Sequence, residues 1–322
     1  METFGCFSGL ARSEEIGYPW HPPLVDPSGD PDPDANFFTP TAIDAAAERG
    51  DLEMLQWAHE NGCPWNHSTW HMGTCDKAAK RGHLAVLKYA HENGKKMTTL
   101  PIFLAVQNGH QGIVEHAHEK GLLEWRGNND VFTVMMCTEA AEGGHLGILQ
   151  LLRLNGIPWN AATCWKAAKE GHLHVVIWAH ENGCPWNAAT CWAAAEGGHL
   201  DVVKWAHENG CPWNAATCWK AALGGHLHVV KWAHENGCPW DGDTCAAAAM
   251  GGHMKILKWA HEHGCPWNEK TTSNAAPNGH LDVLKYAHKN GCPWNQTTYR
   301  CALSTGGDIK KYVEDNGCPR GD

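Results

Sequence analysis

Three residue types able to do chemistry are abundant and periodic in this 322-residue chain: 23 histidines, 15 cysteines and 18 tryptophans. Imidazole and thiolate are the usual zinc ligands, so metal binding is the first chemistry to weigh. The cysteines recur in two slots. Cys63, Cys184, Cys211, Cys238, Cys265, Cys292 and Cys318 each stand between a glycine and a proline, and Cys75, Cys137, Cys164, Cys191, Cys218 and Cys245 hold the other slot. His207 lies four residues before Cys211, and His180 four before Cys184. A structural zinc site needs four converging ligands at tight spacing, and the chain contains no Cys-x-x-Cys. A cysteine nucleophile needs a lowered pKa in a partly exposed cleft, which a slot repeated along the whole chain does not suggest. There is no Gly-rich phosphate loop, no His-Glu-x-x-His and no nucleophile elbow. The thiols read as small buried hydrophobes in a reducing compartment. No catalytic, cofactor-binding or metal-ligating residue is assigned, and the expectation is a chain that is not an enzyme. The alternative kept beside it is a metal- or redox-responsive module that uses the His and Cys rows.

What positions these rows is a repeat. The segment that starts Gly198-His199-Leu200-Asp201-Val202-Val203-Lys204 returns at Gly171, Gly225, Gly252 and Gly279, always 27 residues apart. A fixed period in this range marks a repeat architecture. Within one unit Asn187 is a good N-cap, and alanine-rich Ala188 to Glu196 predicts a first helix. Gly197 and Gly198 break it. A second helix is predicted over about His199 to Asn209, with Leu200, Val202, Val203, Trp205 and Ala206 on one apolar stripe and Asp201, Lys204 and Glu208 facing water. Gly210 suits the left-handed position after that helix, and Pro212 prevents its continuation. Helices this short are marginal alone and must be stabilised by stacking on their neighbours.

These residues resemble an ankyrin repeat. Gly198-His199-Leu200-Asp201-Val202-Val203-Lys204, followed by Gly210 and Asn214, is similar to the second half of that motif. The first helix keeps only the outline and the alanines, as Ala189-Thr190-Cys191-Trp192-Ala193-Ala194-Ala195. The wording Trp-Ala-His-Glu-Asn-Gly-Cys-Pro-Trp-Asn also resembles repeats expanded in protists, algae and large DNA viruses. The family period is about 33 residues; the six missing here fall between Asn187 and Ala188, where the family carries its β-hairpin finger. The resemblance therefore implies an all-α, ankyrin-like helix-turn-helix solenoid of about ten stacked repeats with fingers shortened or absent. It implies protein–protein binding, with contacts on the concave face of the first helices.

Fourteen of the tryptophans fall into three sets. Trp65, Trp186, Trp213, Trp240, Trp267 and Trp294 follow Cys-Pro; Trp57, Trp178, Trp205, Trp232 and Trp259 lie in the second helix. The matching ankyrin slots are buried, and Ala206 beside Trp205 suggests a large-for-small exchange that keeps volume constant, so both sets are expected in the core. The third set, Trp165, Trp192 and Trp219, sits on the first helix at intervals of 27 and should form a row. It is either packing between helices or an exposed aromatic ladder that anchors a partner. Trp165, Trp192 and Trp219, with Trp70 and Trp125 in the insertion loops, are the candidate partner-binding residues.

Residues 1–39 hold Pro19, Pro22, Pro23, Pro27, Pro31 and Pro33 among Asp26, Asp30, Asp32 and Asp34, and are expected to be a disordered arm. Residues 40–322 are expected to be the solenoid. Its early turns, at Gly50, Gly82, Gly109 and Gly144, are unevenly spaced, with insertions around His67 to Met72 and Leu122 to Phe132. Net charge is −10 and no basic stripe is present, which argues against nucleic acid. No apolar run reaches the ~18–20 residues of a membrane span. The start lacks the features of a secretory signal. A monomeric intracellular protein, cytoplasmic or nuclear, is expected.

Overall fold

The computed structural model describes residues 42–63, 65, 72–123 and 131–320. The expected arm at 1–39, Trp70 and Trp125 lie outside the described residues, as does most of each insertion loop. Every regular element among the described residues is a helix, in ten helix–turn–helix pairs. By contacts the described residues form two compact units, one reaching to Ala140 and including Gly147–Pro158, the other made of Ala141–Leu146 and the residues from Trp159 onward.

The first unit contains α1 (Ala42–Arg49), α2 (Leu52–Glu60), α3 (Thr74–Arg81), α4 (Leu84–Glu92), α5 (Thr99–Gln107) and α6 (Gln111–Glu119). Two further helices, α7 (Val131–Glu142) and α8 (Leu146–Leu154), give residues to both units. The core of the first unit is aliphatic: Ile43, Leu55, Leu87, Ile102, Ile113 and Leu149 are fully buried. Asp44 is buried too, and accepts a hydrogen bond from the Thr74 hydroxyl at 2.9 Å while pairing with Lys77. A buried carboxylate needs such partners, because its desolvation is otherwise uncompensated.

The second unit is the regular one. It runs α9 (Ala161–Lys169), α10 (Leu173–Glu181), α11 (Ala188–Gly197), α12 (Leu200–Glu208), α13 (Ala215–Leu223), α14 (Leu227–Glu235), α15 (Gly242–Met250), α16 (Met254–Glu262), α17 (Glu269–Ala275), α18 (Leu281–Lys289), α19 (Gln296–Thr305) and α20 (Gly307–Asp315). Odd-numbered helices pack closely on odd-numbered ones, while the even-numbered helices touch each other more sparingly. Alanine explains the difference. Ala193, Ala194, Ala195, Ala221 and Ala222 are fully buried, and a methyl side chain lets neighbouring helix backbones approach. Each even helix turns only Val202, Val203 and Ala206, or their equivalents, to the interior. Burying one such valine stabilises by roughly 1.5–3 kcal/mol.

Helix ends follow the sequence closely. The Asn214 side chain accepts from the Ala216 N–H at 3.0 Å, and Asn160, Asn187, Asp241, Asn268 and Asn295 cap their helices in the same way. Replacing Asn214 by Ala should cost about 1 kcal/mol, measurable by urea denaturation. At the other end Gly210 has φ +80°, its N–H bonds the His207 carbonyl, and the Cys211 N–H bonds the Ala206 carbonyl. This is the Schellman pair of bonds. Asn209 adds a contact not foreseen, donating to the Trp205 carbonyl at 2.8 Å.

Candidate interaction site

The first-helix row forms as the spacing requires. Trp165 on α9 and Trp192 on α11 are stacked, with ring centroids 6.3 Å apart and planes 26° apart. Trp219 on α13 does not stack directly on Trp192. The Lys220 ammonium lies between them instead, 5.2 Å from the Trp192 ring and 4.8 Å from the Trp219 ring. Lys220 is held there by Glu196 at 2.8 Å. Lys166 repeats the arrangement beside Trp165, 5.7 Å from its ring and paired with Glu142. All three indoles are half-buried. The row ends where the slot changes to Ala246 on α15 and Ser273 on α17. The face therefore offers three aromatic rings and two cations, each cation already neutralised by a carboxylate.

The other two tryptophan sets are not core residues, contrary to the sequence expectation. Each is half-buried. The interior beneath them is filled by Cys191, Ala206 and Cys211, all at most 3% exposed, and Trp186, Trp205 and Trp213 pack against that cluster from outside. An indole is too large for the space a Cys–Ala–Cys triplet fills, so it covers the core and leaves an edge in water.

These rings form a ladder along the even helices. Trp213 stacks on His207 at 3.8 Å and meets Trp232 of the next repeat edge-on at 5.8 Å. His207 also meets Trp232 edge-on, and Lys204 lies 5.9 Å above that ring. The same contacts recur from His180 and Trp186 to Trp205, and from His234, Trp240 and Lys231 to Trp259. Lys204 was expected to face water, but it is half-buried over its neighbour's ring. A histidine six residues before a tryptophan in six of the ten repeats is the signal in the sequence. The helix dipole accounts for the position of these histidines in the last turn but not for the stack.

The Gly-His turn has a partner that the sequence did not reveal. The His226 ring sits against Gly198 of the preceding repeat, and its Nε2 lies 3.0 Å from the Glu196 carbonyl. A carbonyl only accepts, so Nε2 carries the proton. His172, His253 and His280 bond the carbonyls of Glu142, Leu223 and Met250 in the same way. Burial holds the His226 imidazole below its ordinary pKa, which favours the neutral ring in this seat. These histidines stitch one repeat to the next; among the described residues no group of three His, Cys, Asp or Glu side chains converges as a metal site.

No described helix is long and apolar enough to cross a membrane. No curated protein sequence matches the chain. Among solved structures, the ankyrin repeat domain of human ASB11 is similar at 22% identity and a TM-score of 0.46, covering 54% of this chain and 85% of that one. The family model for ankyrin repeats in many copies matches residues 191–234, from within α11 to the end of α14. That segment holds the Gly-His turn and the Schellman glycine of the helix pair that recurs through the described chain, and over it the chain is similar to ankyrin repeats.

Proposed function

We propose that this chain is a non-enzymatic scaffold that binds a protein partner through the first-helix face of its second unit, with Trp165, Trp192 and Trp219 as anchors. Ankyrin repeats are in general protein–protein interaction modules. The observation that carries the reading is the half-buried tryptophan row itself. Indoles left partly in water are favoured anchors, since a partner that covers them gains apolar burial at little cost in side-chain entropy. Glu142 and Glu196 neutralise the adjacent lysines, so the contact should rest on ring burial more than on net charge. Trp70 and Trp125, in the insertion loops, are proposed as a second set of contacts. With net charge −10, a nucleic-acid partner is not part of the proposal, and a monomeric state is.

The test is an affinity capture of partners by tagged wild type beside the Trp165→Ala/Trp192→Ala/Trp219→Ala variant, repeated at high salt. A second control replaces the loop tryptophans Trp186, Trp213 and Trp240. The triple first-helix variant should lose a specific partner more than tenfold while keeping its helical circular dichroism, and the wild-type capture should survive salt. Equal loss from the loop-tryptophan control, or loss of helicity in the triple variant, would make the row a packing feature.

A further inference from the structure

We propose that the contact between His91 on α4 and His116 on α6 is an acid-sensitive joint of the first unit: at neutral pH the two rings are hydrogen-bonded and hold their repeats together, and when both rings are protonated the contact opens.

The joint departs from the ladder of the second unit at one residue. In that ladder His207 meets Trp232 of the next repeat edge-on, with centroids 5.9 Å apart and planes at 78°. His91 meets His116 in the same geometry, at 5.7 Å and 85°. His116 therefore holds the slot of Trp232. Lys88 stands 28 residues before it, as Lys204 stands 28 before Trp232. An imidazole thus replaces an indole in a slot that the fold supplies with an ammonium. The slot also buries it: His116 is 3% exposed, and among the described residues no other histidine is buried. His91 Nδ1 and His116 Nε2 are 3.4 Å apart, so one nitrogen donates and the other accepts.

The pair can take one proton and keep its bond. On half-buried His91 that proton lets Nδ1 donate to the Nε2 lone pair, and the bond becomes charge-assisted. A second proton, on His116, removes the lone pair and sets two cations against each other. Most of the surrounding charge opposes it. Lys88 and His91 face His116 from α4, and Lys120 stands just past the end of its own helix; Glu119 alone favours the charge. Elsewhere on α6, Glu115 accepts from Gln111 and His118 donates to Asn155. The α5 helix carries no ionisable side chain, and the one charged residue of α8, Arg153, donates to the Ile157 carbonyl. Burial first, then Lys88 and His91, hold the His116 imidazole below its ordinary pKa. The direction follows. Above about 6.5, the ordinary imidazole value, the ring is neutral in the folded and unfolded chain, and the contact contributes in full. Below it the unfolded chain takes the proton first, so the stability of the joint falls as pH falls.

Two other joints make the same contact with one titrating end replaced. The Tyr89 hydroxyl lies 3.1 Å from His59 Nδ1, and the Tyr312 hydroxyl 2.9 Å from His288 Nδ1. A phenol in this slot keeps a donor for the histidine and stays neutral from acid to neutral pH. His116→Tyr is therefore a replacement that the molecule already uses.

The joint lies in the first unit and is independent of the partner-binding reading, whose tryptophan row lies in the second. The full chain is followed by hydrogen exchange and mass spectrometry at about pH 7.5 and about pH 5, on either side of the imidazole range, with intrinsic exchange rates divided out. Peptides from α4 and α6 should exchange at least about tenfold faster in acid, the equivalent of one pH unit of linkage. His116→Tyr should abolish that difference, and Lys88→Gln should move the opening to lower pH. If His116→Tyr does not fold, the wild type decides: the His116 ring signal in NMR should titrate below about 6.5 and in step with the opening. Equal protection of α4 and α6 at the two pH values, an undiminished acid response in His116→Tyr, or a His116 titration at or above the ordinary value would each overturn the proposal.

Discussion

Replacing Gly198 by alanine should destabilise the second unit by about 3–4 kcal/mol, whereas the same change at Gly210 should cost only about 1–2 kcal/mol, the usual penalty of a left-handed non-glycine residue. Both glycines have φ +80°, so backbone strain is common to the two. What differs is the neighbour. A Cβ on Gly210 meets nothing within 4 Å, while a Cβ on Gly198 falls 2.4 Å from Nδ1 of His226. The imidazole must leave its seat, and with it goes the bond to the Glu196 carbonyl, a further ~0.5–1.5 kcal/mol plus the cost of crowding. Urea denaturation of the two variants gives the difference directly. Hydrogen exchange should show the damage concentrated in the repeats that carry Gly198 and His226, because a repeat stack is coupled mainly between nearest neighbours. A double-mutant cycle with His226→Ala isolates the stitch: Gly198→Ala should be cheaper in that background by at least about 1 kcal/mol. Equal costs at Gly198 and Gly210 would mean that the glycine serves the turn alone.

Trp232→Ala is expected to cost about 3 kcal/mol, at the low end of the usual range for a buried tryptophan because one edge of this ring is in water. The ring receives the edge contacts of Trp213 and His207 and lies under Lys204, all from the preceding repeat. Aromatic pairs contribute ~0.5–1.5 kcal/mol and an exposed cation–π contact ~0.5–1 kcal/mol. Trp232→Tyr should recover most of the loss, leaving about 1 kcal/mol or less. The molecule has already made that exchange three times, at Tyr89, Tyr286 and Tyr312. Tyr286 and Tyr312 occupy the equivalent slot, under Lys258 and Lys285 and against Trp267 and Trp294. Thermal and urea unfolding of the Ala and Tyr variants decides the matter. If tyrosine is no better than alanine, the slot depends on indole volume and not on the ladder.

Much of the fold could be read from the residue order. Asn187, Gly198 and Gly210 mark helix starts and stops by local chemistry, and the structure places α11 and α12 within a residue or two of the expected bounds. Valines at 202 and 203 and alanine at 206 are buried as the stripe required. Cys191 and Cys211 are buried as the small-hydrophobe reading required. The candidate row was legible as well, since Trp165, Trp192 and Trp219 share one register. Its details were not. The Lys220 ammonium between Trp192 and Trp219 depends on Glu196, which lies on a different helix and 24 residues earlier.

The sequence by itself determined the unit, its period and its helix pair, because capping, left-handed glycine and proline act over a few residues and are repeated with little change. Three things were decided only by the tertiary structure, and all three lie between groups distant in the chain. One is the degree of burial of the tryptophans, set by how much room the Cys and Ala cluster leaves beneath them. Another is the seat of each turn histidine, built from a glycine and a carbonyl about 30 residues earlier. The last is the clustering of Cys191 and Cys211, 20 residues apart, with Ala206, which follows from folding the second helix back against the first.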